Sequence, residues 1–381
     1  MIPRRTVPIA APVTGEEEWE ALREPLTTGW LTQGPKVLTF EQAFATRHRV
    51  GHALATSSCT AALHLALAAL GIGPGDEVIV PAFTWVATAN VALYCGATPV
   101  FVDVRHDTYN VDAGAVAAAI TDRTSVVIPV HLFGLCADMA AVRAATPRHV
   151  RLVEDAACAA GATYRGIPAG GLGDAGCFSF HPRKSITTGE GGMLTTGDPV
   201  LADRARSLRN HGATVPEEDR HAGEAPYLLP SFEEMGFNYR MTDLQGAVGL
   251  VQLARLDRFL AERAQGAAWY AEALADLDWL STPAVPAECD HAWQAYVTVV
   301  LEGAPAPRDE LMRLLHQRGV ATRPGTHSVP ELAYYRKTFG LAPGQFPVAA
   351  RLQDSTLALP LHNRMTEEDF AYVADVLHDV A

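Results

Sequence analysis

The stretch Phe178-Ser-Phe-His-Pro-Arg-Lys-Ser-Ile-Thr-Thr-Gly-Glu-Gly-Gly192 holds the lysine with the most to say about chemistry. Lys184 follows an apolar, strand-like run and precedes a Thr/Gly-rich turn, which puts its amine at a sheet edge where a carbonyl cofactor can be bound covalently. Nucleophilic lysines form Schiff bases with pyridoxal phosphate (PLP), and that cofactor makes further demands on the sequence. The first is a carboxylate against the pyridine nitrogen. Asp155 ends the apolar run 151–153 and qualifies, although it serves equally well as N-cap of a helix at 156–160. The second is a phosphate cup. Thr56-Ser-Ser-Cys-Thr-Ala-Ala-Leu63 reads as strand end, small-residue turn and helix start, so Ser58, Cys59 and Thr60 offer amides and hydroxyls at a helix amino terminus, and Ser179 adds a hydroxyl. Taken alone, Ser58 or Thr60 is simply a cap. The third is a flat surface over the ring, for which Trp85 follows the strand-like run 77–80; a buried core tryptophan is the alternative. The conjunction of four strand ends with four complementary chemistries favours the cofactor.

These residues need strands that deliver them to one edge. Between residues 50 and 200, β-branched runs alternate with Ala-rich stretches, the pattern of a mostly parallel α/β sheet covered by helices. Strands are expected at 52–55, 77–80, 99–102, 125–130, 151–153, 176–180 and 192–195, and helices at 60–70, 87–94, 113–120 and 199–209. Ligands of such sheets sit at the carboxyl ends of the strands. Residues 212–236, rich in Glu, Pro and Gly, read as a long loop. Residues 242–274 read as helical, with Leu244, Val248, Val251, Leu253 and Leu256 on one stripe. A composition shift at 281–286 precedes a strand-like 295–301 and helical 308–318 and 367–377. The expected organisation is a large PLP-binding domain over residues 1–250, amino-terminal segment included, and a smaller C-terminal α/β domain over 251–381.

Composition removes several other classes. Thirty Lys plus Arg stand against 43 Asp plus Glu, a formal charge of −13, which disfavours a nucleic-acid scaffold or a membrane-surface patch, since either needs a basic face. Apolar residues make up 48% of the chain, enough for a large core, yet no uninterrupted run reaches the ~20 residues of a spanning helix. The six cysteines show no CxxC spacing, and the amino terminus has Pro and a Glu run where an export signal needs an apolar core, so a cytoplasmic protein is expected. Gly171-Leu-Gly173-Asp-Ala-Gly176 matches GxGxxG, but it precedes a strand instead of following one and is read as a turn. No P-loop or HExxH occurs, the 14 histidines lack ligand spacing, and no metal is expected.

The sequence resembles the DegT/DnrJ/EryC1/StrS family of sugar aminotransferases, within the fold type I aspartate aminotransferase superfamily. The resemblance is carried by Gly29-Trp-Leu-Thr-Gln-Gly-Pro35, SSCTAALHLAL, PAFTWVATANVALYCGATPVFVDV, VEDAACA, FSFHPRKSITTGEGG and GFNYRMTDLQGAVGLVQL, in this order. It implies that Lys184 holds PLP as a Schiff base, that Asp155 binds the ring nitrogen, that Trp85 stacks on the ring, and that Cys59, Thr60 and Ser179 hold the phosphate. It also implies a homodimer in which Asn238 reaches the phosphate of the neighbouring subunit. Cys158 stands where relatives carry Gln or His beside the ring oxygen, and it serves as cofactor ligand or as a small core residue. The implied reaction takes an amino group from L-glutamate to a nucleotide-linked keto-deoxyhexose, with Lys184 moving the proton, work for which a desolvated lysine is suited. A diphosphate-bearing substrate calls for cations, and Arg183, Arg240, Arg323 and Lys337 are candidates, with His327 in the substrate-facing segment. The alternatives are a glutamine-dependent aminotransferase of a cyclitol ketone and a PLP-binding regulatory protein.

Overall fold

The computed structural model describes residues 5–214 and 229–380, so part of the loop expected at 212–236, residues 215–228, lies outside the described residues. A seven-stranded sheet runs in the order His52–Thr56, Gly192–Thr196, Ala175–Ser179, Arg151–Asp155, Thr124–Val127, Glu77–Pro81, Thr98–Val102. Gly192–Thr196 is antiparallel to both neighbours; every other pairing is parallel. Strands covered on both faces have to be apolar throughout, as Val78, Ile79 and Val80 are. The pleat sorts their residues by parity. Leu152 and Phe178 join Phe40 and Phe44 in the core on one face, while Val153 and Cys177 join Leu54 and Leu63 on the other.

The strands and helices expected between 50 and 200 are present within a few residues. Helix Cys59–Ala69 is capped by Ser58, whose Oγ accepts the Ala61 N–H at 3.1 Å. The strand expected at 125–130 ends at Val127, just before Pro129. Residues 156–160 form turns in place of a helix, which removes the helix-cap reading of Asp155. The segment 242–274 is two helices, Asp243–Ala254 and Leu256–Ala273. They part at Arg255, whose guanidinium is drawn to Glu17 and Glu18 of helix Glu16–Thr28. A further core gathers Tyr270, Tyr296, Leu311, Leu357 and Phe370 around the small sheet of Leu280–Ser281, Tyr296–Val300 and Thr356–Leu359, and Val7 packs into it. Residue 250 lies inside helix Asp243–Ala254. A two-stranded ribbon pairs His327–Ser328 with Phe83–Thr84 and brings the C-terminal segment over the large sheet's edge.

The glycine motif set aside as a nucleotide site does bind an anion, one supplied by the chain. The carboxylate of Glu154, fully buried, accepts N–H groups from Gly170 (2.6 Å), Leu172 (2.7 Å) and Gly173 (2.6 Å), and lies 2.9 Å from His131 Nε2. The Ala137 N–H donates to His131 Nδ1, so Nε2 carries the proton toward Glu154. A buried carboxylate with four donors is satisfied, and it ties the turn to the strand whose next residue is Asp155. Glu154→Ala leaves those donors buried without an acceptor. It is expected to lower unfolding free energy by about 3–5 kcal/mol in urea titrations.

Candidate active site

The carboxyl ends of the parallel strands meet at a cavity of about 540 Å³. Ser58, Cys59, Thr60, Trp85, Asp155, Cys158, Ser179, Arg183, Lys184, Arg323 and His327 all line it. Lys184 sits in a loop closed on itself: the Phe180 N–H donates to Gly191 O, the Thr188 N–H to Phe180 O and the Lys184 N–H to His181 O. Its Nζ donates to Cys158 Sγ at 3.1 Å. Burial by itself pushes the Lys184 ammonium down, but the contact with Cys158 Sγ, with the Asp155 carboxylate behind it, opposes this and holds the group above the ordinary lysine value.

Asp155, buried, accepts the Thr88 hydroxyl at 2.7 Å on Oδ2 and the Ala157 N–H at 3.2 Å on Oδ1. Cys59, a buried residue lining the cavity, is a thiol whose pKa burial pushes far up, with Asp155 adding to it. Trp85 is exposed toward the opening, and its ring lies 5.7 Å from that of His327. The Gln294 amide nitrogen donates to Arg183 O at 2.8 Å, pinning the backbone beside Lys184.

The other expected residues are elsewhere in this chain. Asn238 pairs with Asn210 in an isolated bridge, and the Arg240 guanidinium donates to Asn210 Oδ1 at 2.6 Å, so neither joins this chain's own cavity. Phe237 and Tyr239 pair with the end of helix Pro199–Arg209, while the backbone of Arg240 bridges to Thr56. Lys337 lies on helix Ala333–Phe339 and does not line the cavity either.

The donor set fits PLP. A helix amino terminus with Ser58, Thr60 and Ser179 suits a phosphate dianion. An ionisable carboxylate with one hydroxyl and one amide donor suits a pyridinium, an indole suits the ring face, and an amine in the same cavity suits the aldehyde.

A family model, the DegT/DnrJ/EryC1/StrS aminotransferase family, matches residues 12–378. The chain belongs to this family. It is an aminotransferase-family enzyme with the type I fold. It is 41% identical over 379 residues to the spore coat polysaccharide biosynthesis protein SpsC of Bacillus subtilis, covering 98% of this chain and 97% of SpsC. It is 42% identical over 377 residues to GDP-perosamine synthase of Caulobacter vibrioides, covering 98% of each. Among solved structures, the PMP form of Spr1654 from Streptococcus pneumoniae matches with a TM-score of 0.92 at 30% identity, covering 98% of this chain and 99% of that one.

The sequence reading of this family member passed over Thr88, His181, Glu190 and Gln294. His181 and Glu190 flank Lys184 in the quoted motif and line the cavity. Burial, with Lys184 and Arg183 nearby and Glu190 opposing, holds the His181 imidazole below its ordinary pKa. Thr88 had a signal, a hydroxyl residue one turn beyond Trp85, and Gln294 had none before the fold brought it across.

Gly192 lets strand and helix approach closely beside the cavity. In register with Thr56 and Ser179, it lies against the first turn of helix Cys59–Ala69, where an added Cβ would stand 2.4 Å from Ser58 C and 2.6 Å from Cys59 N. Gly192→Ala is expected to displace that turn at a cost of about 1–3 kcal/mol. Fluorescence titration of the apo-protein should show PLP bound about 10-fold more weakly.

Proposed function

We propose that the chain is a cytoplasmic PLP-dependent aminotransferase that moves an amino group from L-glutamate to a nucleotide-linked keto-deoxysugar, making an amino sugar for polysaccharide or secondary-metabolite biosynthesis. The observation that carries this reading is the convergence of the Lys184 amine, the Asp155 carboxylate, the Trp85 indole and a helix amino terminus on one cavity. Similarity to GDP-perosamine synthase supports a sugar nucleotide as acceptor. So do Arg183 and Arg323, two cations on the cavity of a chain whose net charge is −13.

When bound, PLP supplies an aldehyde that condenses with amines and a ring that accepts an electron pair from an adjacent C–H bond. Asp155 holds the ring nitrogen's proton by charge. Ser58, Cys59, Thr60 and Ser179 bind the phosphate, and Trp85 covers one ring face. Cys158 orients Lys184 Nζ, which takes the proton from the donor's Cα once it is neutral. Arg183, Arg323 and His327 bind substrate.

The functional unit is a homodimer in which Asn238 and Arg240 serve the neighbouring subunit's site. Their position off their own cavity supports this. Residues 1–250 and 251–381 are proposed as two lobes; the separate core around Tyr270 and Tyr296 supports a second lobe, although Leu253, Leu256 and Phe259 pack with the first and Val7 with the second.

Loading the protein with pyridoxamine phosphate and adding ketones tests the reading. Return of the aldehyde absorbance with a keto-deoxysugar nucleotide is expected. Return with inosose alone points to a cyclitol aminotransferase, and no exchange with any donor or ketone points to a regulatory protein. Arg323→Glu is expected to raise the sugar nucleotide's KM about 10-fold or more while leaving the glutamate half-reaction within a few-fold of wild type.

A further inference from the structure

We infer that Thr88 is a positioning residue for Asp155, the end of a hydroxyl chain running from Thr84 that fixes the direction in which the carboxylate meets the cofactor ring. The inference rests on the proposed role of Asp155. Thr88, on helix Ala87–Tyr94, is wholly buried, Thr84 is 1% exposed and Asp155 5%. Thr88 Oγ1 lies 2.7 Å from Asp155 Oδ2, and Thr84 Oγ1 lies 3.2 Å from Thr88 Oγ1.

The proton directions follow from chemistry. An ionised carboxylate only accepts, so Thr88 spends its one O–H proton on Asp155. The Thr84–Thr88 contact then has a single polarity, with Thr84 donating. Each hydroxyl in the chain is oriented by the next, and in a site closed to water such a chain is stiffer than either bond alone.

Asp155 needs this support. Among the described residues Oδ1 is held only by the Ala157 N–H at 3.2 Å, a long contact from a turn, so without Thr88 the carboxylate would be free to rotate about its side-chain torsion. Glu154 is contrasting: four donors hold it, none of them on the cavity.

Thr84 has a second attachment. Its backbone pairs with His327 in the ribbon that brings in the C-terminal segment, which also carries Arg323. The hydroxyl chain thereby begins on the strand that the substrate-facing segment grips and ends on the ring-facing carboxylate, with Trp85 next to its first link.

The test uses the full-length protein as apo-protein and after loading with PLP, comparing T88V, T88S, T84V and D155N. T88V keeps the shape of the side chain and removes the donor. The expected results are three. T88V weakens PLP binding and slows the single-turnover reaction with L-glutamate by about 10- to 100-fold, with half-saturation by glutamate unchanged within about threefold. Its bound cofactor's visible absorbance maximum moves away from wild type in the same direction as that of D155N. T88S returns binding, rate and spectrum to within about threefold of wild type or to the wild-type position. A T88V protein that matches wild type in PLP affinity and spectrum, beside a defective D155N, overturns the inference and leaves the reading of Asp155 standing. A D155N protein that matches wild type overturns both. Should T88V fail to fold, T84V decides: a smaller change of the same sign supports the chain of hydroxyls, and wild-type affinity and spectrum overturn it.

Discussion

A carboxylate presented at the end of a strand, inside a cavity and beside a lysine, has to be both ionised and fixed in direction. Asp155 meets the second condition with few contacts, because the strand that carries it is itself immobilised from behind. The next residue back, Glu154, points to the opposite face and is gripped by the 170–173 turn and by His131. Strand parity thus gives two adjacent acids different tasks: one anchors backbone and the other faces ligand.

The remaining groups arrive by the same geometry. Parallel strands end on one edge, so the helix start at Ser58, the Trp85 turn, Asp155 and the loop after Ser179 meet without long connections. The antiparallel strand Gly192–Thr196 is inserted among them, beginning at that edge with a residue that has no side chain, which lets the helix amino terminus approach. Lys184 Nζ then donates to Cys158 Sγ within the cavity they both line.

Much of this was legible in the sequence, because periodicity and turn chemistry are local. The Ala-rich helices and β-branched strands from 50 to 200 announced themselves, and with them the edge at which Lys184, Asp155, Trp85 and the Ser58–Thr60 turn had to meet. Thr88 stayed hidden because a threonine in a helix looks like any other until its partner is known. Gln294 and the ribbon at His327–Ser328 depend on contacts across more than a hundred residues, which no local pattern encodes. The break at Arg255 arose likewise, from glutamates on the first helix. Arg240 and Lys337 show the limit for charges: a cation has no sequence signature of where it points, and in this chain Asn210 holds one while the other sits on an outlying helix. The GxGxxG match, read as a turn, is one, and the anion its amides hold is the chain's own Glu154.

What the whole arrangement depends on is covalent attachment of the cofactor at a single amine. Borohydride reduction of the PLP-loaded protein, followed by peptide mapping, addresses it directly. The expected result is one pyridoxyl adduct, on Lys184, with turnover lost in K184R. An adduct on any other residue, or undiminished turnover in K184R, would contradict it.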